Sequence, residues 1–124
     1  MCLLLTGGFM DLAELIEQID GFVAERDWEQ YHTPKNIAIS VAIEAGELLE
    51  CAQWDHELSA DEVRADPARL LAFADEVADV QIYLLRMCAI LDIDPVANAA
   101  RKLALNREKY PAGEFSGSSR KYDA

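Results

Sequence analysis

The chain of 124 residues carries 23 Asp and Glu against 11 Lys and Arg, a formal net charge of −12. Such a field repels polyanions, which argues against broad nucleic-acid binding and against attachment to anionic membranes. With 52% hydrophobic residues the chain has material for one folded domain and is no disordered acidic tail. Its three cysteines, Cys2, Cys51 and Cys88, are odd in number and widely spaced, so neither a disulfide framework nor a zinc site is signalled. The opening Met1-Cys2-Leu3-Leu4-Leu5 lacks the basic start of a signal peptide, and no apolar run approaches the roughly 20 residues of a membrane span. A soluble protein of the reducing cytoplasm is expected.

Apolar residues recur at helical spacing almost throughout, which predicts an all-α fold. After a short N-terminal segment, residues 1–8, a first helix is expected from about residue 9 to residue 26, with Leu12, Leu15, Ile16, Ile19, Phe22 and Val23 in one stripe. A polar, aromatic loop follows, Asp27-Trp28-Glu29-Gln30-Tyr31-His32. Thr33-Pro34 reads as an N-cap with proline at the first helical position, starting a second helix to about residue 54 whose stripe holds Ile37, Val41, Leu48 and Cys51. Ser59-Ala60-Asp61-Glu62 fits a capping box for a short helical turn. Asp66-Pro67 repeats the cap-then-proline signal for a long helix to about residue 91, its buried face expected at Phe73, Val77, Val80, Leu84, Met87 and Leu91. Asp94-Pro95 gives it a third time, and Pro111 stops the last helix. Residues 112–124 show no stripe and are expected to form a flexible tail. Four principal helices over residues 9–111 predict a compact four-helix bundle.

Two acid pairs interrupt the core stripes. Positions 37, 41, 44, 48 and 51 step by four and three, so Glu44 falls within the second helix's stripe and Glu47 lies one turn along on the same side. Glu76 and Asp79 repeat the spacing in the long helix beside Val77 and Val80, on the way to Tyr83. Side-by-side packing at about 8–10 Å between axes would bring all four carboxylates to one place. Burial and mutual repulsion would raise their pKa values or recruit a cation, and an oxygen-only donor set favours Mg²⁺ or Mn²⁺. Solvated helix faces are the ordinary alternative in so acidic a chain. A di-iron centre would need Glu-x-x-His on two helices, whereas His32 lies in a loop and His56 just past a helix end.

Four blocks stand out in order: Arg26-Asp27-Trp28-Glu29-Gln30-Tyr31-His32, Glu44-Ala45-Gly46-Glu47-Leu48-Leu49-Glu50 with Gln53-Trp54, Asp75-Glu76-Val77-Ala78-Asp79-Val80 through Tyr83-Leu84, and Lys102 to Pro111. Together they resemble the all-α nucleotide pyrophosphohydrolase superfamily that includes MazG, and within it the dCTP pyrophosphatase branch. The resemblance spans residues 20–111, with the blocks in the family's order. It implies a Mg²⁺-dependent hydrolase that cuts a nucleoside triphosphate between the α and β phosphates. It also implies metal ligands at Glu44, Glu47, Glu76 and Asp79, base contacts at Trp28, Trp54 and Tyr83, and phosphate and sugar contacts at Lys102 and Asn106. The chain departs from MazG at Ile43, where MazG carries a second Glu, and from animal dCTP enzymes at Ile19, where they carry a histidine.

The residues themselves agree with this chemistry. A triphosphate carries about four negative charges, so four acids can bind it only through metal ions that neutralise both sides. Glu47 or Glu50 is placed by position to take the proton of an attacking water. Trp28 either staples its loop to the first helix or stacks on a base; Trp54 is a packing or a base residue. His32 is expected as a loop hydrogen-bonder and substrate contact, and not as a catalyst. Lys102 and Arg107, with Arg101 and Lys109, make a basic concentration that helix-dipole preference alone would also produce. Asn106 is a mediocre helix former within that helix. Cys51 and Cys88 read as small core residues. So small a bundle gains from self-association as a homodimer or homotetramer. Two other readings remain at this point: a phosphoribosyl-ATP pyrophosphohydrolase, and a non-catalytic acidic helical module.

Overall fold

The computed structural model describes residues 9–121. The expected N-terminal segment lies outside them. Among the described residues the chain is all-α, with helices α1 (Leu12–Glu25), α2 (Pro34–Glu50), α3 (Ala60–Ala65), α4 (Pro67–Ile90), α5 (Pro95–Lys109) and α6 (Ala112–Phe115), and a short 3₁₀ turn at Glu29–Tyr31. No described helix is long and apolar enough to cross a membrane.

The starts follow from the cap residues. Asp11 Oδ1 accepts from the Glu14 amide at 2.8 Å while the Glu14 carboxylate accepts from the Asp11 amide at 3.2 Å, a full capping box. This moves the start of α1 to Leu12 and leaves Phe9 exposed. Thr33, Ser59, Asp66 and Asp94 cap α2 to α5 through their side chains alone, each accepting from the amide three residues on, so the box expected at Ser59 is half formed; proline stands at the first turn of α2, α4 and α5. Helix α2 stops at Glu50, short of residue 54. The next amides bond three residues back, Cys51 to Leu48, Ala52 to Leu49 and Gln53 to Glu50, which tightens the chain into turns.

The chain divides into two compact units, Met1–Asp92 and Ile93–Ala124. In the first, α4 is the shared partner on which α2, α1 and α3 pack, α2 most extensively. The buried residues are Ile19 and Val23 of α1, Ile37 of α2, and Leu85 and Arg86 of α4. The expected face of α4 is therefore corrected: Phe73, Val80 and Met87 are half-buried, but Val77, Leu84 and Leu91 are exposed. Their seven-residue spacing keeps them on one side of the helix. Asp55 and Arg69 pair at 2.8 Å, tying the loop after α2 to the first turn of α4. In the second unit, part of the expected tail is ordered as α6. There the Tyr110 and Phe115 rings meet edge to face at 4.9 Å, with the Arg120 guanidinium over Phe115.

Candidate metal centre and its cavity

Packing of α2 on α4 brings Glu44, Glu47 and Glu76 together. Each offers one carboxylate oxygen, and these oxygens lie within 4.8 Å of one another. Glu44 and Glu76 are half-buried and Glu47 is exposed, so the inward direction expected of the first pair holds for Glu44 and not for Glu47. Oε2 of Glu44 and Oε2 of Glu76 are buried with no hydrogen-bond partner. A buried acceptor left unsatisfied costs free energy, and two facing one cluster of acids is an arrangement that a cation relieves.

The electrostatics agree. The Glu44 carboxyl is pushed up to about 7, first by the proton it shares with Glu47, then by desolvation and by the charges of Glu47, Asp79 and Glu76. Glu76 is raised as well, chiefly by desolvation, then by the charges of Glu47 and Asp79. Asp79 thus acts on both, although it lies outside the close set of three. All donors are carboxylate oxygens, the preference of a hard divalent cation. Glu50 is exposed, one turn beyond Glu47 on α2.

A cavity of about 250 Å³ adjoins the acids, with Glu44 and Asp79 on its wall beside Trp28, His32, Tyr83 and Arg86. Trp28 is brought there by the way α1 ends. Asp27 adopts a left-handed φ of 53°, its amide bonds to Ala24 O, and the Trp28 amide reaches back to Val23 O at 3.1 Å. This Schellman ending folds the chain back on α1. The indole then meets the Phe22 ring edge to face at 5.7 Å, and Arg26 covers Phe22 from 3.7 Å. Trp28 is stapled and still 44% exposed, so both roles weighed for it are open to the same side chain. Trp54 stands 89% exposed beyond α2 and does not line this cavity. Lys102 and Asn106 lie on α5 in the second unit, Lys102 exposed and Asn106 half-buried.

One member of the cavity wall, Arg86, escapes a reading of stripes. Arg86 is buried and donates through Nε to His32 Nδ1 at 2.9 Å and through Nη1 to Asp20 Oδ1 at 2.7 Å. The available signal is a lone cation in the apolar run Leu84-Leu85-Arg86-Met87, which demands partners if the helix is packed.

Residues 39–124 match the sequence model of the MazG-like family. The chain belongs to the MazG-like family. Its MazG-like relatives include dCTP pyrophosphatase 1 of Homo sapiens, 39% identical over 101 residues, and that of Rattus norvegicus, 37% identical over 101 residues. Each match covers 82% of this chain, which spans 59% of the length of either relative. A pyrophosphatase crystal structure from Archaeoglobus fulgidus matches with a TM-score of 0.74 and 39% identity, over 85% of this chain and 96% of that one.

Proposed function

We propose that this protein is a divalent-cation-dependent nucleoside triphosphate pyrophosphohydrolase that acts on dCTP or a base-modified relative, giving the monophosphate and pyrophosphate. The observation that carries this is the set of three carboxylate oxygens within 4.8 Å of one another, two of whose residues keep a buried oxygen unpartnered. A module whose acidic face binds a basic partner has no use for such atoms. The names of the relatives support the reaction class and the base.

In this reading Glu44, Glu47 and Glu76 hold Mg²⁺, or Mn²⁺ in its place, with Asp79 completing the acidic set. When bound, the cation supplies neutralising charge between these acids and the triphosphate and a Lewis acid for the phosphate being cut. The Glu47 or Glu50 carboxylate takes the proton of the water that attacks the α phosphorus. The cavity, about 250 Å³, falls just below the roughly 300–1,000 Å³ of sites that enclose drug-sized ligands. It suits a base alone, stacked on Trp28 with Tyr83 and His32 beside it, while the phosphates reach the acids. Lys102 and Asn106 serve phosphate and sugar, Trp54 serves the base once chains associate, and residues 9–111 form the catalytic domain.

The test is pyrophosphate release from a panel of ordinary and base-modified nucleoside triphosphates, with Mg²⁺ and with EDTA. Mg²⁺-dependent release, strongest for dCTP or a relative, is expected. Silence across the panel, with turnover of phosphoribosyl-ATP, would move the chain to the other branch of the superfamily.

A further inference from the structure

Arg86 is the one charged residue among the buried residues described, 8% exposed. A guanidinium keeps its proton at any ordinary pH, so its burial requires acceptors. Two other segments supply them: Asp20 from α1 accepts from Nη1, and His32, just ahead of α2, accepts from Nε through Nδ1. The second bond decides where a proton sits. An imidazole nitrogen that accepts from a guanidinium carries no hydrogen, so the ring's one proton is on Nε2. Doubly protonating the ring would break this bond and set two cations side by side.

His32 and Arg86 both belong to the cavity wall that also carries Trp28, Glu44 and Asp79. With Nδ1 engaged, Nε2 is the ring nitrogen left for a ligand, and it is a donor. We infer that Arg86 is a positioning residue: braced by Asp20, it holds His32 as the neutral Nε2–H tautomer, so that the cavity offers a hydrogen-bond donor to an acceptor atom on the nucleobase edge. The ligand half of this inference rests on the nucleotide reading above; the tautomer half does not. A base presenting N–H at that place would set donor against donor and be rejected. The charged groups that share the cavity wall with His32 are Arg86 and Asp79 from α4 and Glu44 from α2, with Asp20 from α1 bonded to Arg86. Desolvation, and then the charge of Arg86, lower the pKa of His32, which favours the same neutral form.

The sequence contains two histidines, so ¹⁵N NMR of the nucleotide-free chain at neutral pH resolves His32 against His56 as an internal reference. The expected spectrum has an unprotonated Nδ1 and a protonated Nε2 on His32. A protonated Nδ1 in the unaltered chain overturns the inference, with no dependence on how any variant folds. In Arg86→Met the His32 ring should relax to a mixture of tautomers. The KM for the preferred triphosphate should then rise about tenfold, the worth of one ordinary hydrogen bond, with kcat held. A lost tautomer with KM unchanged overturns the role in base recognition. If the unaltered chain hydrolyses no triphosphate while the tautomer is as expected, the nucleotide reading fails, and with it the ligand assigned to His32; the clamp itself stands.

Discussion

Glu44 on α2 and Glu76 on α4 face one another across the helix packing, each with a buried Oε2 that nothing in the described chain satisfies. Neither helix alone creates the cluster; their packing does. Changing Glu76 to Gln keeps the shape and removes one negative charge. Turnover in Mg²⁺ should fall on the order of 10²- to 10³-fold, while the metal-free fold becomes no less stable because repulsion is relieved. Pyrophosphate release and thermal unfolding, run side by side, check both. Full activity in the variant would take Glu76 out of the site.

The same two acids give the metal-free protein an inverted pH dependence. The Glu44 carboxyl moves from 4.5 in its ordinary state to about 7 in the folded chain, and Glu76 moves in the same direction. Between those values the folded chain binds more protons than the unfolded one, so stability falls as pH rises through that window. In EDTA, Tm should decline from about pH 5 to about pH 8, and the gain on adding Mg²⁺ should grow with pH as the cation replaces protons. A Tm that rises over this range in EDTA would contradict the assignment.

Much of this architecture is legible in the residues because its signals are local. Thr33-Pro34, Asp66-Pro67 and Asp94-Pro95 each carry a cap and a stiffened first turn, and all three open helices as expected. The acid pairs are legible because Glu44 falls inside a stripe that contacts α4. What periodicity leaves open is how far a helix is rotated against its neighbour. Val77, Leu84 and Leu91 form a regular row yet face away, while Arg86, which breaks the pattern, is buried because Asp20 and His32 receive it. The place of Trp28 depends on one backbone angle at Asp27, a residue with only a modest preference for left-handed φ.

Trp28 is held by a capping motif rather than by burial, which separates its two roles. Replacing it with Ala leaves the Asp27 turn and its backbone bonds in place, so Tm should change little. Loss of a stacking partner is worth about 1–3 kcal/mol per base, so KM for the preferred nucleotide should rise roughly ten- to hundredfold with a smaller change in kcat. Steady-state kinetics and a melting curve on the same variant decide the matter. Collapse of Tm at unchanged KM would make the residue a staple and nothing more.

Ile39 and Ile43 stand one turn apart on the exposed side of α2, and Val77 and Leu84 two turns apart on α4. Large aliphatic side chains arrayed this way on both helices of the acid site leave apolar surface that a second copy of the chain can cover. The expected state is a homodimer or homotetramer whose Tm rises with protein concentration. Light scattering on a size-exclusion column over a dilution series measures this directly. Ile39→Glu, placed on that surface and away from the acid cluster, should shift the population toward monomer and abolish the concentration dependence of Tm. Trp54, now 89% exposed, should then emit at longer wavelength in the variant than in the assembled protein, because association would remove its indole from water. A monomer at every concentration, with full activity, would show that one chain completes the site unaided.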